Sequence, residues 1–340
     1  MSLLSFTPRG IYCAAGDFYI DPWQPVKRAL ITHAHSDHAR PGSESYLCHH
    51  FTKPLLQLRL GNPVCQPVEW GEPVWLNGVR ISLHPAGHII GSSQIRVEYQ
   101  GEVWVASGDF KAGNDGISGA MEVLPCNVFI TESTFGLPVY QWKPQQQIFY
   151  DVQNWIQTNR EKGKNSVVIA YSLGKAQRLL PCLKEIAASV YVHGAIWNIH
   201  QALIQAGFQL PEVKRVMPDM GRDAFREAVI IAPPSADQSP WMRRFSPYGV
   251  GVCSGWMQIR GNIRRRNADA GFAMSDHADW NGLLEVIRGT GAEKVFVTHG
   301  FQSAFSRYLN EMGIASEEIK TAYGDEAELE TEREQAANET

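Results

Sequence analysis

The chain has no long apolar run, no paired cysteine spacing and no excess of charge of one sign, and each absence removes a class of protein. No segment approaches the roughly 20 apolar residues that a membrane helix needs. The opening Met1-Ser2-Leu3-Leu4-Ser5-Phe6-Thr7-Pro8-Arg9 lacks the basic flank and apolar core of a secretory leader. A cytoplasmic setting is therefore expected. The six cysteines, at 13, 48, 65, 126, 182 and 253, are scattered along 340 residues. They read as reduced, mostly buried thiols rather than a disulfide framework or a zinc ribbon. A net charge of −4 exerts no global pull on nucleic acid, so any such role must rest on a local basic surface. No internal repeat is present. The length predicts roughly two domains with a sizeable core.

What the chain does have is Ile31-Thr32-His33-Ala34-His35-Ser36-Asp37-His38, three imidazoles and a carboxylate directly after the apolar Ala29-Leu30-Ile31. Imidazole and carboxylate together suit zinc and similar first-row ions. An extended backbone would point His33 and His35 to one side, and a turn after them would let Asp37 and His38 reach a second ion. A single histidine at a strand end is usually just solvated; this run is too dense for that. Three more candidates sit in like settings. His88 follows Val79-Arg80-Ile81-Ser82-Leu83 and the turn Pro85-Ala86-Gly87, Asp109 ends Val103-Trp104-Val105-Ala106-Ser107-Gly108, and His299 ends Lys294-Val295-Phe296-Val297-Thr298. Ligands on strand ends are held more rigidly than ligands on loops. One ion would take His33, His35 and His88, the other Asp37, His38 and His299. Asp109, with two carboxylate oxygens, would bridge them.

The texture of the chain changes twice. Up to about Gly136, short strand-like segments at 28–32, 79–84, 93–99, 102–107 and 127–131 suggest one sheet of a sandwich. From Pro144, Ile148, Phe149, Val152, Trp155 and Ile156 recur with helical period. Strand–helix alternations follow: Val167–Ala170 into Lys175–Ile186, Val190–Val192 into Ile196–Ala206, then Ala228–Ile231 and Gly249–Cys253. These predict a small parallel α/β unit. Sandwich texture returns from about Gly261, with strands at Gly271–Met274 and Lys294–Val297 and a helix around Asn281–Ile287. The expected organisation is an outer domain, 1–137 with 261–326, interrupted by an insertion over 138–260. An acidic tail over 327–340 lacks periodicity.

With these residues assembled, the chain resembles metallo-β-lactamase-fold nucleases that carry a β-CASP insertion, a group that includes Artemis-type DNA repair nucleases and the endonuclease of pre-mRNA 3′ ends. The His-rich run, Ala86-Gly87-His88 and Ser107-Gly108-Asp109 match the general hydrolase pattern. Glu132 in Thr131-Glu132-Ser133-Thr134-Phe135-Gly136, His277 in Ser275-Asp276-His277-Ala278-Asp279 and His299 in Val297-Thr298-His299-Gly300 resemble the three motifs added by the nuclease branch. The histidine form of the last is typical of RNA-processing and prokaryotic members. Ser172-Leu173-Gly174-Lys175-Ala176-Gln177 and Ser254-Gly255-Trp256-Met257 are similar to β-CASP segments. Compact length, Gly10-Ile11-Tyr12-Cys13 and Ser275-Asp276-His277-Ala278-Asp279-Trp280 are most similar to bacterial ligase-associated DNA exonucleases. The resemblance spans about residues 8 to 325 and implies an αββα sandwich of α/β class with an inserted α/β domain. It also implies an ATP-dependent DNA ligase and a helicase as partners. The N-terminal acidic motif departs slightly, reading Tyr19-Ile20-Asp21-Pro22 without a following glycine, and Asp21 becomes the choice for an orienting carboxylate.

The expected activity is hydrolysis of phosphodiester bonds in single-stranded DNA, from an end, in repair. Two divalent ions, zinc before manganese, would lower the pKa of a shared water and clamp the phosphate. Asp37 counts among the catalytic residues as well as the ligands. His277 would serve as general acid, since imidazole titrates near neutrality, and Glu132 would fix its tautomer; a buried carboxylate capping the turn before Gly136 is the plainer role for Glu132. Ser172, Gly174 and Lys175, between a strand and a helix, are candidates to receive a phosphate, with an ordinary helix cap as the alternative. Arg264, Arg265 and Arg266 form a candidate basic strip, or else a solvated loop. Trp241, Phe245 and Trp256 could stack on bases, but singly each fits a core better. His49, His50, His84, His193 and His200 match no motif. RNA processing is the alternative, and small-molecule hydrolysis would leave the insertion, Glu132 and His277 without a purpose.

Overall fold

In the computed structural model, which describes residues 2–187 and 189–319, the chain divides into two units, 2–141 with 277–319 and 142–276. The expected tail over 327–340 and the side chain of Arg265 lie outside the described residues.

The first unit begins with six strands in sequential order: β1 (Ser5–Thr7), β2 (Gly10–Cys13), β3 (Phe18–Ile20), β4 (Arg28–Leu30), β5 (Ser45–His49) and β6 (Cys65–Val68). Helix α1 (Thr52–Leu60) joins the last two. β1 to β3 form an antiparallel meander, whereas β3 to β6 are parallel neighbours. Parallel pairing brings four carboxyl ends to one edge. β7 (Val74–Leu76), β8 (Val79–Pro85), β9 (Ser93–Tyr99), β10 (Glu102–Ala106) and β11 (Val128–Ser133) belong to a second sheet. The strand-like segments before Gly136 therefore split between two sheets rather than forming one. Trp104 and Ala106 share a core with Ile11, Phe18, Leu30 and Leu47 of the first sheet, while Val105 packs on the opposite side. This is the two-residue period of a strand buried on both faces.

The second unit is a six-stranded parallel sheet. Its strands are β12 (Asn165–Ile169), β13 (Val190–Val192), β14 (Lys214–Arg215), β15 (Val229–Ala232), β16 (Tyr248–Cys253) and β17 (Ala270–Phe272), in the order β14-β13-β15-β12-β16-β17. Val168 and Ala170 bury against α2 (Gln145–Glu161) and α3 (Lys175–Lys184), through Ile148, Val152, Leu179 and Leu183. Val167 and Ile169 face the other way, into a core with Phe225, Met242 and Phe245. Helices α4 (Gly194–Gln205) and α5 (Arg260–Arg265) complete this unit. The return at residue 261 is corrected here. β17 pairs in parallel with β16, so 261–276 extend the inserted sheet and the chain rejoins the first unit at His277.

Beyond that point α6 (Trp280–Thr290) precedes β18 (Lys294–Gly300), and α7 (Gln302–Glu311) precedes β19 (Ala315–Glu318). The second sheet is thereby completed as β19-β18-β11-β10-β9-β8-β7. Leu283, Ile287, Phe305 and Leu309 of the two helices cover Val105, Phe129, Val295 and Val297. The unit is of mixed α/β class, with two facing sheets and helices against the second. Among the described residues, no helix is long and apolar enough to cross a membrane.

Candidate metal centre

The His-rich run begins where β4 ends. Ile31 still donates its N–H to Leu47 O at 2.9 Å, and then the chain leaves the sheet and closes a turn through Ala39 N to His35 O at 2.9 Å. Asp21 stands at the end of the neighbouring β3, at φ 41°, a left-handed position that Asp tolerates better than most residues. From there its carboxylate accepts from Thr32 N at 2.8 Å, from Thr32 Oγ1 at 2.5 Å and from His38 Nδ1 at 2.7 Å. Gly108 brings the Asp109 loop against this turn. At φ +57° a Cβ there would lie 2.7 Å from Thr32 Cβ, so a side chain would push the two loops apart.

Asp109 lies between two groups of ligand-type atoms. Its Oδ2 faces His33 Nε2 at 3.5 Å and His88 Nε2 at 3.8 Å, and His35 Nδ1 is 3.1 Å from both imidazole nitrogens. Its Oδ1 faces His38 Nε2 at 3.5 Å and His299 Nε2 at 2.8 Å. His33, His35, His88 and Asp109 thus make one group, and His38, Asp109 and His299 the other, each with donor atoms within 4.8 Å of one another. Asp37 joins from the side, its Oδ2 3.7 Å from His38 Nε2. Five imidazoles and two carboxylates around one buried space are a donor set for first-row divalent ions.

Which ring nitrogen faces inward is set by hydroxyls and carboxylates behind the rings. Thr32 Oγ1 donates to Asp21 and lies 3.1 Å from His33 Nδ1, so it accepts from that nitrogen. Thr298 Oγ1 donates to Thr131 O at 2.9 Å and lies 3.3 Å from His299 Nδ1, the same arrangement. Asp21 holds Nδ1 of His38. In all three, protonated Nδ1 leaves the Nε2 lone pair for an ion. Thr32 and Thr298 were missed by the motif reading, although a threonine directly before a strand-end histidine occurs in both places. Thr298→Val keeps the shape and removes the hydroxyl. It should weaken metal affinity by roughly 10–100-fold, as is typical when the hydrogen-bond partner behind a ligand is removed. Competition with a chelator measures this; unchanged affinity would mean that His299 needs no such support.

The electrostatics fit a cation site. Burial works against a charged His38, yet Asp109, Asp37 and Asp21 outweigh it and raise its pKa to about 10. Burial also disfavours an ionised Asp109, but His38, His299 and His33 hold its carboxyl well below the usual range. His33, by contrast, is driven well below the ordinary histidine value by burial and by the ring of His38. A divalent ion bound among these groups takes over the role of their protons.

Beside the cluster, Glu132 on β11 accepts from His277 Nδ1 at 2.8 Å through Oε2, and from Phe110 N at 2.7 Å through Oε1. His277 is 1% exposed, with its ring centroid 4.5 Å from that of His88. Glu132 and His277 also lie within ligand distance of Asp109.

Of the substrate contacts expected in the insertion, Lys175 and the Ser172-Leu173-Gly174 turn have partners within the second unit. Lys175 is 2% exposed, and its Nζ lies 2.6 Å from Asp276 Oδ1, so its charge is spent inside the second unit and not offered to a phosphate. Gly174 N donates to Gln177 Oε1 at 2.8 Å, which makes the Ser172-Leu173-Gly174 turn an ordinary helix cap. Ser172 is half-buried there. Arg178 is buried as well, bound to Gln145 and Ser275 O. Arg264 is exposed and Arg266 half-buried, both on or beside α5. Phe245 is fully buried and packs edge-on against Phe225 and Trp241, as a core residue does.

No model of a known protein family matches the chain. It is 30% identical over 325 residues to a protein of Opitutus terrae named a probable DNA ligase, a match covering 94% of this chain and 31% of that one. It is 31% identical over 110 residues to cleavage and polyadenylation specificity factor 73 of Drosophila melanogaster, covering 32% of this chain and 16% of the other. Over 122 residues it is 27% identical to endoribonuclease YSH1 of Saccharomyces cerevisiae, covering 35% and 15%. The chain thus spans about a third or less of the length of these relatives. A crystal structure of an Enterococcus faecalis protein of unknown function shares its fold, with a TM-score of 0.59, 11% identity and coverage of 87% and 80%. Relatives named for endoribonuclease and cleavage functions, and for DNA ligation, support the nuclease superfamily that the motifs resemble.

Proposed function

We propose that the chain is a metal-dependent exonuclease that hydrolyses phosphodiester bonds of single-stranded DNA during DNA repair, in association with an ATP-dependent ligase and a helicase. The observation that carries this reading is Asp109, one oxygen turned to each histidine group, with the Glu132–His277 pair alongside. His33, His35, His88 and Asp109 would hold one divalent ion, and Asp37, His38, His299 and Asp109 a second, with zinc the best match to the donors and manganese the alternative. When bound, such a pair supplies Lewis acidity and a water of lowered pKa. The chain's own acid is His277. Glu132 accepts from Nδ1 and fixes the ring's orientation, so Nε2 is the atom from which a proton would pass to the leaving oxygen. Asp21 keeps His38 in register from behind.

DNA is favoured over RNA because the match to the protein named a DNA ligase runs along 94% of the chain, whereas those to relatives named for RNA cleavage or polyadenylation cover between 32% and 53% of it. The test is incubation of metal-loaded protein with end-labelled DNA and RNA single strands of both polarities. DNA shortened stepwise from one end is expected; cleavage of RNA alone would overturn the substrate, and internal cuts would overturn the exonuclease mode. Arg264 and Arg266 are proposed to grip the backbone. R264Q/R266Q should bind DNA more weakly and with a salt dependence shallower by about 0.7 for each phosphate no longer neutralised, at unchanged metal content. An unaltered slope would show that neither arginine meets the backbone.

A further inference from the structure

We propose that His49, His50 and Glu69 form a separate site for one divalent first-row ion of the zinc or nickel kind. The register of two parallel strands brings them together. His49, the last residue of β5, is opposite Val68, the last of β6, and His50 N donates to Val68 O at 3.2 Å, so His50 and Glu69 emerge side by side at the carboxyl edge. Successive strand residues would point to opposite faces. Here the chain turns at His50, and the two rings come within 4.4 Å, centroid to centroid. His50 Nδ1 is 2.9 Å from Glu69 Oε2, and one donor atom from each of the three residues lies within 4.8 Å of the others.

The site is built, not a chance meeting of surface chains. His49 is 1% exposed and stacked on Trp70 at 4.1 Å with a 12° tilt, which fixes its ring. Phe51 packs on His50 at 3.8 Å. His50 and Glu69 keep 32% and 66% of their side-chain surface exposed, which leaves an entrance and open coordination positions for water. Two imidazoles and one carboxylate with an open position are an established ligand set for zinc. None of the three belongs to the groups around Asp109. The plainer alternative is a surface His–Glu ion pair, and the protein contains one for comparison: His84 Nδ1 lies 2.8 Å from Glu122 Oε2.

Equilibrium dialysis of the full chain against Zn²⁺, followed by elemental analysis, separates the two. H50A/E69A should bind one ion fewer per chain than the wild type, while H84A/E122A should bind as many as the wild type. Equal zinc in H50A/E69A and wild type, or equal loss in both pairs of variants, would overturn the site. Should H50A/E69A fail to fold, H50Q/E69Q keeps the shape and is read the same way. DNA cleavage by the Asp109 centre is expected to persist in H50A/E69A, so failure here and failure of the nuclease reading are distinguishable.

Discussion

Replacing Asp109 with Ala should remove two metal ions per chain, not one, and abolish phosphodiester cleavage. The expectation follows from its two oxygens: Oδ2 faces His33 and His88, Oδ1 faces His38 and His299, and the side chain is buried, so no water replaces it readily. Removing it also takes away the foremost of the carboxylates that favour the charged forms of His38 and His299. Elemental analysis of wild type and variant after identical reconstitution provides the count. A loss of one ion would mean that Asp109 serves a single group, and the bridge would be withdrawn. Asp109→Asn separates charge from shape, and it should keep the fold while losing most of the affinity.

The second large effect is expected at His277. His277→Ala should keep its metal content and fold yet lose activity by roughly 10²–10⁴-fold, the usual contribution of a general acid. That corresponds to about 3–5 kcal/mol of transition-state stabilisation. The reason is placement: Glu132 holds Nδ1 at 2.8 Å, the ring lies against that of His88 at a 54° tilt, and His277 stands outside the two histidine groups around Asp109. A substrate with a much better leaving group should recover part of the rate, because it needs less protonation. Loss of an ion in His277→Ala would reclassify the residue as a ligand, and absence of recovery would remove the acid role.

Much of this site was legible before the fold because its residues sit at strand ends. His33, His88, Asp109 and His299 each follow a short apolar segment, and such segments are readable even when their partners are not. What could not be read is mostly pairing at a distance. Nothing local to Asp21 says that it will hold Thr32 and His38, eleven and seventeen residues away. Lys175 beside a glycine turn reads as a phosphate grip until Asp276, far along the chain, is found to neutralise it. The return from the insertion was misplaced for a similar reason. A three-residue apolar strand at 270–272 looks the same whichever sheet it joins, and only its pairing with β16 assigns it. The strands of three or four residues in the first sheet were too short to show a period at all.

The central claim, that this centre cleaves nucleic acid through bound divalent ions, is tested most directly by stripping and restoring the metal. Protein treated with chelator and dialysed should leave an end-labelled DNA single strand intact. Readdition of Zn²⁺ or Mn²⁺ should restore stepwise shortening in the wild type and not in Asp109→Ala. Equal cleavage by stripped and reconstituted protein, or none in any metal, would contradict it.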